Sequence, residues 1–268
     1  MKNALILFSV LAVFISCGKG DRDEDQSVTE TTDNSLAEMA FNDVFSVTNE
    51  AALTTQGIRA TSQTLACASV SADTTVNPMI LLVDFGTTNC TGADGRNRRG
   101  KIFATFTGKY RDSLTVITIT PQDYYLNDYK VEGTKTVTNK GHNSSGNLWY
   151  TVVVQNAKVT EPGGTWSVTW NSSRVREWIN GESTLVDFTD DVYLITGSAN
   201  GVNRRGNSFT ADITTALRVE MSCSWIVSGA MTITPENLNP RYVDFGSGSC
   251  DNDASVTVNG YVYNIEMY

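Results

Sequence analysis

The sequence predicts an all-β protein, a long antiparallel meander arranged as an open coiled sheet or a sandwich, with one N-terminal amphipathic helix packed on it. From about Leu65 onward, short runs rich in Thr, Val, Ile and Tyr are separated by Gly, Asn and Asp. Turn signals of this kind, recurring about every 8 to 12 residues, are typical of strands joined by hairpins. Residues 35–49 have a helical period instead, and a motif near the first strands returns near the end of the chain.

The predicted helix begins with a capping box. The Ser35 hydroxyl oxygen can accept a hydrogen bond from a backbone N–H, and Glu38 follows three residues later to reach back. Behind them, apolar residues recur on one arc at helical spacing. They are Leu36, Met39, Ala40, Phe41, Val44, Phe45 and Val47. A helix with so broad an apolar side must be covered, so we expect it to lie against the sheet and shield one face.

The clearest strands alternate between apolar and polar residues. Trp166, Val168 and Trp170 share one face of a predicted strand. Ser167 and Thr169 lie on the opposite face. This alternation is typical of an antiparallel strand with one side against a core.

The motif Val-Asp-Phe-Gly-x-x-x-Cys occupies residues 83–90 and recurs at residues 243–250, and each copy has one earlier cysteine. The four cysteines concerned are Cys67, Cys90, Cys223 and Cys250. Four cysteines allow three pairings. We predict the disulfides Cys67–Cys90 and Cys223–Cys250, because each pair then lies within one copy of the motif. Zinc would need the same side chains, but none lies in a CxxC and the chain has a single histidine.

Within the repeated motif, Asp84 and Asp244 stand between apolar neighbours. An unpaired charge would be costly to bury there. We predict that each aspartate makes a structural hydrogen bond at a strand end or faces solvent on the side opposite Val and Phe.

A second repeat, Asn-Arg-Arg-Gly, occupies residues 97–100 and 203–206. It follows the first Val-Asp-Phe-Gly motif but precedes the second, an order that a tandem of two domains would not keep. We therefore expect a single β-rich domain over residues 35–268, built as one sheet from similar strand–turn units.

The first residues have the architecture of an export signal. A positive start is followed by an apolar run over residues 4–15 and a small residue before Cys17. This arrangement is typical of a secretory signal. We predict that residues 1–16 are a lipoprotein signal peptide, removed before Cys17, whose sulfur is then acylated with a fatty acid such as palmitate. Phe14 and Ile15 depart from the usual lipobox, so an ordinary cleaved signal with an incidental cysteine is the alternative.

Residues 17–34 are charged and almost free of apolar side chains. They cannot bury enough surface to offset the entropy of ordering, so we predict a disordered acidic tether. Lipidation of Cys17 leaves an even number of cysteines, which suits an oxidising compartment. The formal net charge of −9 argues against a nucleic-acid partner, because phosphate binding depends on Lys and Arg.

These segments, together with Tyr129–Asn139, Arg174–Trp178 and Asp191–Ser198, resemble the uncharacterised β-rich lipoproteins of Bacteroidota. The resemblance implies a cell-envelope address and a β fold, and it supplies no catalytic residue. The acidic cluster after Cys17 is similar to the surface-export signal of such lipoproteins. The resemblance therefore implies that a lipid anchors the protein in the outer membrane and that the protein is exposed to the medium.

No catalytic residue, cofactor or metal site is predicted. The only histidine, His142, lies in a stretch with the composition of a hairpin tip, and a catalytic base needs a rigid orienting environment. Aspartates cluster around Asp190 and just after Cys250, where turn chemistry favours them. A carbohydrate-active hydrolase using paired carboxylates is the alternative, since it needs only two carboxylates about 5 to 10 Å apart.

Aromatic and arginine side chains form the candidate binding surface. Its residues are Tyr124, Tyr125, Tyr129, Arg174, Arg176 and Trp178. Rings stack on sugars and peptides, and Arg is a frequent interface anchor; alternatively, the rings fill the core and the arginines balance an acidic protein. We expect a non-catalytic cell-envelope lipoprotein that presents a binding or structural β-surface, attached to the membrane by its lipid, with a polysaccharide or another envelope protein as its partner.

Overall fold

The computed structural model of the chain describes residues 27–55, 65, 67–184 and 189–267. Within these residues one helix, α1 (Thr29–Thr55), precedes fourteen strands. The strands are β1 (Ser69–Asp73), β2 (Met79–Asp84), β3 (Cys90–Thr91), β4 (Asn97–Phe106), β5 (Val116–Leu126), β6 (Tyr129–His142), β7 (Leu148–Thr160), β8 (Ser167–Asn180), β9 (Val192–Val202), β10 (Ser208–Glu220), β11 (Ile226–Pro235), β12 (Arg241–Ser247), β13 (Asp253–Val258) and β14 (Tyr261–Glu266).

The strands form one antiparallel sheet in the order β1-β2-β4-β5-β6-β7-β8-β9-β10-β11-β12-β13-β14, with β3 paired to β4 outside this path. Apart from β3, each strand lies beside its neighbours in sequence, as hairpin connections require. The predicted all-β fold with one N-terminal helix is confirmed. Of the two predicted architectures, the open sheet is the one observed.

Burial alternates along the strands and identifies the inner face of the sheet. Along β8, Val168 and Trp170 are buried, whereas Thr169 and Asn171 are exposed. The inner face and α1 together enclose the apolar core. The alternation predicted from Trp166 to Trp170 therefore separates side chains that face the core from side chains that face solvent.

The sheet curves around α1. Phe41 stacks on Trp170 of β8 with 6.2 Å between ring centroids. Asp43 instead accepts a 2.7 Å hydrogen bond from the Tyr124 hydroxyl of β5. Residues two apart on a helix point to nearly opposite sides. The sheet must therefore contact both flanks of the helix, which a flat surface could not do.

The helix is longer than its predicted bounds of 35–49. It begins at Thr29, whose backbone N–H donates to the Ser27 hydroxyl oxygen at 3.4 Å. Ser35, the predicted cap, lies inside the helix. No helix in the described part of the chain is both long enough and apolar enough to cross a bilayer.

The prediction that the disordered tether extends to residue 34 is wrong for residues 29–34, because these residues are helical and mostly buried. Their polar side chains have partners on the sheet: Asp33 accepts from Arg204 Nε at 2.6 Å, and Asn34 Oδ1 accepts from Trp170 Nε1 at 2.9 Å. These partners are distant in sequence. The composition of the segment does not reveal them, and taken alone it predicts disorder. The signal peptide, Cys17 and the tether up to residue 26 lie outside the described residues.

Both predicted disulfides are confirmed. The Cα atoms are 6.0 Å apart in Cys67–Cys90 and 5.7 Å apart in Cys223–Cys250. The repeated aspartates have the predicted structural role: Asp84 Oδ1 accepts from the Gly86 N–H at 2.8 Å, and Asp244 Oδ1 accepts from the Gly246 N–H at 2.9 Å. The same aspartate-to-glycine hydrogen bond therefore occurs in two settings: Asp84 is the last residue of β2, whereas Asp244 lies within β12 beside a register shift with β11.

Candidate functional site

The structure brings half of the candidate surface residues together. Arg174, Arg176 and Trp178 alternate along β8, and all three side chains lie on its inner face. Arg174 is 5% exposed and Trp178 is 3% exposed. These residues therefore face α1 and the core instead of forming an open surface.

The three tyrosines lie apart from that face of β8 and from one another. Tyr124 is buried against Asp43, and its pKa is raised well above the usual value by burial and by that carboxylate. Tyr125 follows it on the opposite face of β5. Tyr129 is half-buried against the Trp166 ring, with 6.1 Å between centroids. They do not form a shared binding surface.

A pocket of about 70 Å³ lies between α1 and strands β6 to β9. We refer to it as the helix–sheet pocket. It is lined by Glu38, Phe41, Asn42, Phe45, Lys135, Val137, Val152, Val154, Trp170, Ser172, Arg174, Arg176 and Ile195. Seven of these thirteen residues are apolar and six are polar or charged, so the pocket combines apolar walls with more polar groups than most small-molecule sites have.

Arg174 is the central polar group of the helix–sheet pocket. Its Nη2 donates to Glu38 Oε2 at 3.4 Å, and this ion pair is its link to the helix. Its Nε and Nη1 are buried without a hydrogen-bond partner. The residue opposite on β9 is Gly197, so no side chain from that position covers the guanidinium.

Arg176 is surrounded mainly by rings. Its Cζ lies 4.6 Å from the ring centroid of Tyr193, 4.8 Å from that of Phe45 and 5.3 Å from that of Tyr150. One Nη2 hydrogen bond goes to the Tyr110 hydroxyl, while its Nε is buried without a partner. Aromatic faces attract a cation, but they accept no strong hydrogen bond from that Nε.

Lys135 enters the helix–sheet pocket from β6 and is 5% exposed. Its Nζ donates to the Phe41 carbonyl oxygen at 3.1 Å and lies 5.0 Å from the Phe45 ring centroid. Burial and the nearby Arg176 charge lower its pKa from 10.5 to about 7, against the opposing effect of Glu38. The ammonium is thus close to losing its proton at neutral pH.

The helix–sheet pocket has an excess of positive charge. Two arginines and one lysine line it, against the single carboxylate of Glu38. Buried donors are almost always paired, and an unpaired one costs about 1 to 3 kcal/mol, more when charged. An oxyanion in the pocket would accept from the free guanidinium N–H groups and offset the charge.

A larger cavity, about 430 Å³, lies beside the Cys223–Cys250 disulfide and is lined mostly by polar residues, including Asp244, Asp251 and Asp253. Two of these carboxylates are already used locally: Asp244 accepts from the Gly246 N–H, and Asp251 from the Asp253 N–H at 3.2 Å. Within the described residues, no group of His, Cys, Asp and Glu side chains is arranged to hold a metal ion. This cavity has the properties of a solvated turn.

Sequence reasoning missed the roles of Lys135 and Glu38. Lys135 lies two residues before Val137 on β6, so a period of two places it on the apolar face. A lysine in that register is a signal for a buried cation. The local pattern places Glu38 in a capping box, and its contact with Arg174, 136 residues away in the chain, has no signal in that pattern.

Comparison of the chain with models of known protein families finds no match. Comparisons with curated proteins and with solved structures find no match either.

Proposed function

We propose that the protein is a non-catalytic binding protein of the cell envelope, anchored in the outer membrane by a lipid on Cys17, and that it binds a small ligand in the helix–sheet pocket. The binding role rests on one observation: Nε and Nη1 of Arg174 are buried and have no hydrogen-bond partner. The export architecture of residues 1–17 and the two disulfides support the envelope location.

The burial of the candidate residues favours a small ligand over an extended polymer. Trp178 is covered on the inner face of β8, so its ring is not free to stack on a sugar chain. The helix–sheet pocket has a cavity volume of about 70 Å³, whereas pockets that enclose drug-sized ligands have volumes of roughly 300 to 1,000 Å³. Only a small chemical group fits inside, with the rest of a larger ligand outside the pocket.

The alternative, a carbohydrate-active hydrolase, has less support from this geometry. Its chemistry needs two carboxylates facing each other, whereas the helix–sheet pocket contains only Glu38, which is paired with Arg174. The acidic cavity near Asp251 has more carboxylates, but no aromatic side chain except that of Phe245 lines it.

The binding role is tested with the full-length protein purified from membranes in mild detergent. Native mass spectrometry should detect a small-molecule adduct on the wild-type protein, and Arg174→Gln should lose it. Arg218→Gln is the matched control, because Arg218 is a half-exposed arginine paired with Glu220 on β10. Absence of any adduct, together with turnover of a glycan panel by the same sample, would favour the hydrolase.

The lipid anchor is tested separately. Cys17→Ala should move the protein from the membrane fraction to the soluble fraction and abolish incorporation of labelled palmitate. A variant that still sediments with membranes and incorporates the label would contradict acylation at Cys17.

A further inference from the structure

We infer that the ligand of the helix–sheet pocket is an organic acid, whose carboxylate contacts Arg174 and Arg176 and whose apolar part lies against Phe45 and Ile195. This inference rests on the proposed binding function and specifies the ligand class.

The charges and free donors of the pocket point to an anion. The unpaired Nε and Nη1 of Arg174 and the unpaired Nε of Arg176 are all on the inner face of β8. Side chains two residues apart on a strand are roughly 7 Å apart at their origin, which long arginines easily bridge. Hydrogen bonds between charged groups in such a site are stronger than neutral ones. Arg174 and Arg176 therefore form a two-sided donor set for one oxyanion.

The apolar walls favour an organic acid over an inorganic anion. Phe41, Phe45 and Ile195 line the pocket together with the arginines, and valines of β6 and β7 line it as well. Phosphate or sulfate would leave these surfaces in contact with a strongly hydrated ion. A carboxylate on a hydrocarbon chain satisfies the donors and covers the apolar surface at the same time.

Glu38 separates a binding role of Arg174 from a purely structural one. It is the one carboxylate among the lining residues and accepts from Arg174 Nη2. If the role of Arg174 is to attach α1 to the sheet through Glu38, Glu38→Gln should weaken that attachment and should not tighten ligand binding. If Arg174 binds a ligand carboxylate, Glu38 competes with that ligand, and Glu38→Gln should tighten binding.

Hexanoate is the probe, with hexan-1-ol as its neutral counterpart and inorganic phosphate as the competing anion. Binding of carboxyl-¹³C hexanoate to the full-length detergent-solubilised protein is followed by NMR, and hexan-1-ol and phosphate by calorimetry. We expect one hexanoate per chain, with much weaker binding of the other two. Arg174→Gln should weaken hexanoate by at least about tenfold, Glu38→Gln should tighten it, and Arg218→Gln should leave it unchanged.

Each other result overturns a specific part of the inference. Phosphate binding more tightly than hexanoate rules out the organic acid. Hexan-1-ol binding as well as hexanoate, with no loss in Arg174→Gln, rules out the anion but leaves the binding function standing. No binding by any probe, without an adduct in the native spectrum, removes the binding function as well. If Arg174→Gln does not fold, Arg176→Gln and Glu38→Gln decide the question through their opposite expected effects.

Discussion

Arg98 of β4 and Asp43 of α1 form an ion pair from which solvent is almost excluded, with 2% and 1% of the two side chains exposed. Arg98 Nε donates to Asp43 Oδ2 at 3.2 Å, and Tyr124 donates its hydroxyl hydrogen to the same oxygen. Arg98 belongs to the first Asn-Arg-Arg-Gly repeat. The equivalent arginine of the second repeat, Arg204, pairs with Asp33 of the same helix. The two repeats thus bind carboxylates ten residues apart on α1.

Removal of the Asp43 charge should strongly destabilise the fold. Asp43→Asn leaves the buried Arg98 guanidinium with only the partly exposed carboxylate of Asp94 as its counter-ion. Breaking a buried pair completely costs about 3 to 5 kcal/mol, and the remaining Asp94 pair should keep the loss at or below the lower end of that range. Urea unfolding followed by tryptophan fluorescence measures the loss. Asp128→Asn is the control, because Asp128 is exposed and pairs with Arg99 at the surface, where such pairs contribute less than about 1 kcal/mol. Equal losses in the two variants would contradict the role assigned to Asp43.

Replacement of Lys135 should stabilise the protein at neutral pH. Its pKa is about 7 in the fold and 10.5 ordinarily. Between those values the unfolded chain holds a proton that the folded protein lacks, so stability rises with pH across this window. The free-energy cost of burying the charged Lys135 ammonium is fully present below about pH 7. Lys135→Met removes it and should gain roughly 2 to 4 kcal/mol at pH 7, after the lost hydrogen bond to Phe41 is subtracted.

The stability gain of Lys135→Met should shrink as the pH approaches 10, because the wild-type protein recovers the same free energy. Urea midpoints at pH 7 and pH 9.5 test this. Lys158→Met is the matched control, since Lys158 is exposed on the outer face of β7. A gain that is the same at both pH values would show that the Lys135 charge is not its cause.

Asp191 should make stability fall between pH 4 and pH 6. Burial raises the pKa of its carboxyl group from 3.8 to about 6. Within that window the folded protein keeps a proton that the unfolded chain has released, so stability decreases as pH rises. Above about pH 6 the full free-energy cost of the ionised carboxylate is present, and Asp191→Asn should gain roughly 1 kcal/mol there once solvent screening is taken into account.

Thermal melts at pH 4.5 and pH 7 check the Asp191 prediction, with Asp212→Asn on the exposed face of β10 as the control. The stability advantage of Asp191→Asn should be largest at pH 7 and fall to about a third of that value at pH 4.5. An advantage that is larger at pH 4.5 would contradict burial as the cause of the shift.

The fold could be predicted from sequence because its signals are local. Alternation and turn residues identify antiparallel strands, and the two copies of Val-Asp-Phe-Gly-x-x-x-Cys specify the cysteine pairs. The start of the helix could not be predicted in this way. Asp33 can be buried because Arg204, far along the chain, pairs with it. The local composition shows only that the segment is polar.

The same distinction explains the candidate site. Strand periodicity places Arg174, Arg176 and Trp178 on one face, but charged residues on a face usually indicate solvent. The alternation that begins at Val168 and Trp170 continues through the same strand and puts Arg174 on the apolar side. What covers that side, namely Glu38 and Phe45 of the helix, is decided by tertiary packing and has no local signal.

The two disulfides should contribute comparable and nearly independent stability. They close loops of 23 and 27 residues, for which loop entropy predicts roughly 3 to 4 kcal/mol each. They lie toward different ends of the sheet, so their effects should add. A reducing agent should therefore lower the guanidinium midpoint of the wild-type protein about twice as much as that of a variant already lacking one pair. Cys67→Ser with Cys90→Ser, and Cys223→Ser with Cys250→Ser, provide the two variants. If reduction shifts one variant as much as the wild type, the pair missing from that variant does not contribute to stability.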